Sequence, residues 1–375
     1  MSVFSRLWRR FKRMESSGPA FPAEGVDALT DEEFVDFAYR RFLEREPDPA
    51  GKAHQLRFLA GGHSRAALML NFVDSLEYAQ RIVKSSILSY IRALPIIDER
   101  PGSYGIVESL SGRGKVRVFE VSGPADYDWL ERKILENEYY ERPGVWGFEI
   151  DEDKRLVARM ASLFDPARVL DFGCSNGGVL KCLLDLGIAA EGVEISSLAL
   201  SKAPPEVLGS IRVGDLLALD LGRSYDLILG LDIFEHLNPG KLGTYIARLG
   251  EILRDGGFLL ANIPAFGRDP VFGEIFPLDL PGWAKDAAAG RIFRTVPVDD
   301  FGYPRNGHLI GAAADWWVAR FAEHGFSRET GIERALHRAF DAGMDGISPA
   351  RKSYFVFSRK SPAAAVESVI ARING

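Results

Sequence analysis

The chain has 375 residues, 46% hydrophobic and 26% charged, with a formal net charge of -6 and a pI of about 5.7. That length accommodates two domains, and that composition shows no sign of wholesale disorder or membrane spanning. A nucleic acid partner asks for a basic surface, which is absent beyond the first turns, so rRNA, tRNA and DNA are disfavoured.

Met1 to Met14 places Phe4, Leu7, Trp8 and Phe11 on one helical face and Arg6, Arg9, Arg10, Lys12 and Arg13 mostly elsewhere, with no acid before Glu15. Two readings are open. The stretch is a short interfacial helix that makes peripheral contact with an anionic membrane, or its aromatics dock on protein. It is too short to span, and no apolar core of secretory length follows it. Ser16 to Gly25 reads as a linker.

Thr30-Asp31-Glu32-Glu33 is a capping box opening a helix with Phe34, Phe37, Ala38 and Phe42 on one face. Pro47 to Gly51 breaks it. A second helix runs from Lys52 to Leu59, Ser64 caps a third, and a fourth extends from about Ser75 into Leu94. His54 and His63 read as surface or capping histidines, because no acid or cysteine lies at ligand spacing from them. The R-E-P-D-P-x-G turn, the Gly-Gly-x-Ser cap and the Ser-x-Glu-Tyr start over Asp31 to Arg81 resemble a small helical domain of unknown function found beside glycosyltransferases and methyltransferases. The resemblance implies an interaction module with a protein partner, the alternative being a structural appendage.

Ile106 to Val121 alternates around Ser111-Gly112-Arg113-Gly114 and is expected to form a hairpin. Tyr139 to Phe148 is dense in aromatics and turn residues ahead of a helix from Asp151 to Phe164, and reads either as core or as a lid.

Arg168 to Phe172 reads as a short buried strand, stopped by Gly173-Cys174-Ser175-Asn176-Gly177-Gly178. A helix from Val179 to Leu186, Gly187 and a strand from Glu191 to Ile195 complete a β-α-β unit. Cys174 in the turn and Cys182 in the helix offer neither a disulfide framework nor metal spacing, which fits a reducing cytoplasm. A third strand is expected at Ser210 to Val213, a fourth at Tyr225 to Asp232, a fifth at Gly256 to Ile263 and a last at Ser353 to Ser358.

Asp171, Gly173, Gly177, Glu194, Gly214-Asp215 and Tyr225 to Asp232, in that order, resemble the motifs of class I S-adenosylmethionine-dependent methyltransferases over roughly Trp146 to Lys360. The resemblance implies an α/β fold, a Rossmann-like seven-stranded mostly parallel sheet beside the N-terminal all-helical domain, with S-adenosylmethionine as cofactor. It also implies roles: the glycine turn against the methionine part, Glu194 on the ribose diol and Asp215 near the adenine amino group. The implied cofactor-binding set is Asp171, Gly173, Cys174, Ser175, Gly177, Glu194, Ile195, Asp215, Leu216 and Leu231. Ser175 replaces a glycine common in the family, and a small residue fits there if its φ is negative. The turn lacks G-x-G-x-x-G, which disfavours a nicotinamide site.

"DIFEHL" after the fourth strand resembles the corresponding segment of sugar and small-molecule methyltransferases, and places Asp232, Glu235 and His236 beside the site. His236 is a candidate base or a brace for its loop. Asp232 and Glu235 could together hold one ion, although no metal cluster is legible from spacing. The proline-rich segment Ala265 to Arg305 is read as a long irregular loop forming the acceptor pocket, with His308 at its exit as second base candidate and Tyr303, Arg305 and Asn306 for polar contacts. Trp316-Trp317 opens a helix from Ala314 to His324 and reads as packing rather than sugar stacking. The expected activity is O-methylation of a sugar hydroxyl on a surface or lipid-linked glycan, at the inner face of a membrane. The alternatives are a small-metabolite N- or O-methyltransferase and a cofactor-binding scaffold without turnover.

Overall fold

The computed structural model describes residues 29–43, 45–73, 103–141, 148–222 and 225–375. The basic stretch 1–14, the linker 16–25, the fourth helix from Ser75 and the 142–147 part of the aromatic cluster lie outside the described residues. Two compact units are present, residues 1–93 and 94–375.

In the first unit Thr30 caps the helix Asp31–Ala38 reciprocally: its Oγ1 accepts from the Glu33 amide at 3.3 Å, and Glu33 Oε2 accepts from the Thr30 amide at 2.8 Å. The chain continues through a π-helical turn, Tyr39–Leu43. Asp48 then caps Pro49–Ala60, with Pro49 at a position where a missing N–H costs nothing. Ser64 caps Arg65–Val73. Phe34, Val35, Ala38, Phe42 and Leu68 form the small core, as the apolar spacing requires. His54 and His63 are exposed, and His63 stacks on Phe58 at 4.1 Å.

The second unit is built on a seven-stranded sheet: β1 (Arg168–Phe172), β2 (Ala189–Glu194), β3 (Ile211–Val213), β4 (Tyr225–Leu231), β5 (Leu253–Asn262), β6 (Ser327–Arg328) and β7 (Tyr354–Ser358). The spatial order is β3-β2-β1-β4-β5-β7-β6, with β7 antiparallel to both neighbours and β1 to β5 mutually parallel. This is the Rossmann-like sheet that the motif order implies.

Alternation along the strands separates two cores. Leu170, Phe172, Ile228, Leu259, Ala261, Phe355 and Phe357 face one layer, which includes the helices Pro124–Glu136, Pro239–Ile252 and Ala314–Ala322. Val169, Leu227, Leu229, Phe258, Leu260 and Val356 face the other, with Glu152–Ser162, Gly178–Asp185, Thr330–Ile347 and Ala363–Asn374. Apolar residues on both faces explain why β1 and β4 read as continuous hydrophobic runs. Each valine, leucine, isoleucine or phenylalanine among them contributes about 1.5–3 kcal/mol on burial. Trp317, fully buried in the first core, packs as its helical position implies.

The expected hairpin is present as Tyr104–Glu108 against Lys115–Glu120. It gains a third strand, Thr295–Pro297, from the proline-rich segment. That segment is therefore not the irregular loop its prolines suggest. It also holds short pairings at Ala265–Phe266 and Arg268–Asp269 and a helix at Trp283–Ala288. Pro297 is tolerated because it ends an outer strand, where no ladder donor is required of it.

Candidate active site

The site lies beyond the carboxyl ends of β1, β2 and β4, where open α/β sheets leave a crevice. Asp171 is the buried, next-to-last residue of β1, and after Phe172 the chain reverses through Gly173 (φ 79°), Ser175 (φ 51°) and Gly177 (φ 74°) before the next helix. Gly173 cannot be larger, since a Cβ there would lie 2.9 Å from the Ile233 side chain. Ser175 corrects the expectation of a negative φ. It occupies the left-handed region, at a cost of roughly 1–2 kcal/mol for an L-residue. Its amide donates to Glu194 Oε2 at 2.8 Å, which holds the turn in this conformation.

Glu194, the last residue of β2, accepts on Oε1 from the amides of Ile195 and Ser196, both at 2.7 Å. Asp171 Oδ1 has no hydrogen-bond partner, and burial beside the Glu194 charge pushes its carboxyl up to about 7. Asp215 follows β3; its Oδ1 accepts from the Leu217 amide and its Oδ2 from the Tyr245 hydroxyl at 3.0 Å.

These groups line one cavity of about 670 Å³. Of the residues implied by sequence, Asp171, Gly173, Cys174, Ser175, Glu194, Ile195, Asp215, Leu216, Leu231, Asp232, His236 and His308 all border it. Gly177 does not; it turns the chain behind the wall, where a Cβ would lie 2.8 Å from Val207. Residues 265–305 are not among those that line this cavity. Their exit does, through Asn306, His308 and Leu309.

Asp232 has left-handed backbone (φ 51°), and its carboxylate accepts from Arg351 Nη1 at 2.5 Å. Arg351 also donates to Asn262 Oδ1 at 2.7 Å and to Asp153 at 2.9–3.0 Å. Asp232 is thus committed to a cation. Arg351, lining the cavity just ahead of β7, carries no spacing signal in the sequence, and neither does Lys154 on the same wall.

His236 sits on the turn Phe234–His236, its ring at 4.8 Å and nearly perpendicular to that of His308. Two distant segments meet here because the Glu235 carbonyl accepts from the Leu309 and Ile310 amides at 2.8 and 2.9 Å. Tyr140, from the aromatic cluster, brings its hydroxyl 3.2 Å from His236 Nδ1 and donates to the Gly307 carbonyl at 3.4 Å. If the phenol proton goes to Gly307, the Tyr140 oxygen accepts from Nδ1–H, the tautomer that leaves the lone pair on Nε2. Burial holds both imidazoles neutral, His236 well below its ordinary value and His308 down to about 4.

A family described as a methyltransferase domain matches residues 145–340, just over half the chain, and one described as a domain of unknown function matches residues 19–82. A ubiquinone biosynthesis O-methyltransferase of Mesorhizobium japonicum is 26% identical over 107 residues, 27% of this chain and 42% of the relative. An uncharacterized methyltransferase of Bacillus mycoides is 33% identical over 93 residues, 24% of this chain and 43% of the relative. The chain spans less than half the length of these relatives. Among solved structures, an amino pentose methyltransferase from Micromonospora echinaspora aligns at 19% identity with a TM-score of 0.38, covering 60% of this chain and 96% of that one. A Burkholderia thailandensis 1,6-didemethyltoxoflavin-N1-methyltransferase aligns at 19% identity with a TM-score of 0.39, covering 64% and 93%.

Proposed function

We propose, for a chain that belongs to the S-adenosylmethionine-dependent methyltransferases, that its methyl acceptor is a hydroxyl oxygen, on a sugar of a surface or lipid-linked glycan. The observation that carries the oxygen acceptor is the pair of half-buried imidazoles, His236 and His308, facing each other with ring centroids 4.8 Å apart at the wall of the cavity that Asp171 and Glu194 also line. The sugar rests on the sequence resemblances of both domains. A small-metabolite acceptor is the second reading, favoured by the partial likeness to the ubiquinone biosynthesis O-methyltransferase.

The residues present fit the cofactor. Asp171 offers an unpartnered, buried carboxylate oxygen to an ammonium, and the Glu194 carboxylate on the same cavity wall is an acceptor of the kind a diol needs. Lys154 on the wall suits a carboxylate, and the exposed apolar surface of Ile195 suits the face of a base. When bound, S-adenosylmethionine supplies a methyl group on a sulfonium, which leaves with its bond pair returning to sulfur as the acceptor oxygen takes it. The chain holds the acceptor in line and excludes water, which is where most of the acceleration comes from. The hydroxyl proton passes to an unprotonated imidazole, and His236 Nε2 is available for it.

Residues 1–14 are proposed to bring the enzyme to an anionic membrane, and the helical unit to bind a protein partner. Among the described residues no helix is long and apolar enough to cross a membrane. The acceptor reading is tested by turnover with a panel of glycan and phenolic hydroxyl acceptors. His236→Ala and His308→Ala are expected to lower turnover by about 10²–10⁴ at unchanged cofactor affinity. Unchanged turnover in both variants would sink it.

A further inference from the structure

We propose that Glu235, His236 and His308 bind one divalent first-row transition cation of the zinc type, and that the acceptor reaches this ion through two neighbouring oxygens. Ligand atoms from the three residues lie within 4.8 Å of one another. Sequence spacing does not show the group, because the first two residues follow β4 and the third follows the proline-rich segment.

Glu235 supplies the first argument. Its side chain is fully buried, and neither carboxylate oxygen has a hydrogen-bond partner. The nearest basic nitrogen is His308 Nε2, 3.8 Å from Oε1, too far for a hydrogen bond. Buried carboxyl groups are paired, hydrogen-bonded, bound to a metal or neutralised by a proton; this one has neither of the first two, so in the metal-loaded protein the ion takes the place of a proton.

The histidines supply the second. Metal-ligating imidazoles have one ring nitrogen unprotonated, with the other commonly held by a hydrogen bond that fixes the tautomer. The contact between Tyr140 and His236 Nδ1 has that form, and leaves Nε2 to ligate. His308 turns Nε2 toward Glu235.

Donor chemistry selects the ion. Two imidazoles and one carboxylate suit zinc, cobalt, manganese or ferrous iron, whereas calcium and magnesium prefer oxygen alone. Ligands of a tetrahedral zinc site stand roughly 3–3.5 Å apart, so the most separated of the three groups close by up to about 1.5 Å on binding. The site is also open on the correct side. His236 and His308 line the cavity and Glu235 stands behind them, so the remaining coordination positions face the space left for the acceptor.

This inference rests on the methyltransferase reading and replaces only the part given to an imidazole. The cation makes the acceptor hydroxyl more acidic, and the proton goes to a water-borne base. The oxygen then forms its bond to the methyl carbon as the carbon–sulfur bond breaks, its pair staying on sulfur. Acceptors that bite an ion with adjacent oxygens, a vicinal sugar diol or a catechol, form the substrate class.

The test uses the full chain, stripped with EDTA and titrated with CoCl2, with cofactor affinity measured by calorimetry on the same samples. One equivalent of cobalt per chain is expected, with visible d–d absorption that ZnCl2 displaces. Glu235→Gln and the half-buried His308→Asn should each weaken cobalt binding at least tenfold and leave cofactor affinity within twofold. Turnover should vanish in the stripped chain and return with ZnCl2. No saturable cobalt binding, or binding unchanged in both variants, would overturn the site. Full turnover without metal would overturn its catalytic part. Cobalt bound normally by a chain that does not bind S-adenosylmethionine would instead remove the methyltransferase reading and leave the ion site standing. If Glu235→Gln fails to fold, as thermal melts would show, the His308 variant decides.

Discussion

The amide of Ser175 donates to the carboxylate of Glu194 across 2.8 Å, so the acid that ends β2 also fastens the turn that follows β1. One carboxylate therefore serves two purposes. It stabilises a left-handed serine and lines the cavity.

Removing that carboxylate should cost both. Hydrogen bonds to a charged acceptor contribute about 1.5–3 kcal/mol, so Glu194→Ala is expected to weaken S-adenosylmethionine binding by roughly 10- to 150-fold. Calorimetry with nicotinamide dinucleotides as controls checks it. Undiminished affinity in the variant would move the ribose contact elsewhere.

Ser175→Gly tests the strain separately. Glycine adopts φ 51° freely, and the amide that Glu194 accepts from is retained, so the variant should gain about 1 kcal/mol. For a unit of this size that raises Tm by about 2 °C. A lower Tm would mean that the buried serine hydroxyl contributes more than the backbone costs.

Cofactor affinity should depend on pH through Asp171. Its carboxyl stands at about 7 in the free protein, so below that pH the group is protonated and cannot hold an ammonium. Affinity is therefore expected to rise from pH 6 to pH 8, approaching tenfold per unit on the acid side. The stability effect has the opposite sign. The folded chain keeps a proton that the unfolded chain loses near pH 4, so this contribution is present below pH 4 and is lost as pH rises to 7. Calorimetry and urea unfolding across the range measure the two, and Asp171→Asn should flatten both.

Arg351 joins Asp232, Asp153 and Asn262, with about a fifth of its side chain exposed. Arg351→Met leaves Asp153 without its strongest partner and Asp232 facing it. Because Asp232 is half exposed and hydrated, the expected loss is about 2 kcal/mol, below the 3–5 kcal/mol of a fully buried pair. A urea midpoint unchanged by the variant would show the cluster to be structurally neutral.

The sheet was legible in the sequence because its signals are short-range. An apolar run of strand length, a glycine turn needing φ > 0, and an acid at each of three strand ends are settled by neighbours within a few residues. Those same signals located Asp171, Gly173, Glu194 and Asp215 on one cavity. The left-handed φ of Ser175 is not legible locally, because the acceptor that holds its amide is Glu194, nineteen positions along. The proline-rich segment reads as irregular in the sequence because its pairing partner is the hairpin near the start of the unit.

By itself, then, the sequence determined the order of strands and turns, the acids at the strand ends and the two-part organisation, since backbone geometry and hydrophobic periodicity are local properties of the chain. Tertiary structure alone decided that Glu235 and His236 face His308, that Tyr140 holds His236, and that Arg351 neutralises Asp232. Each of those contacts joins segments far apart in the chain. Their distances are fixed only when the two cores close on the sheet and bring the 305–310 segment onto the turn after β4.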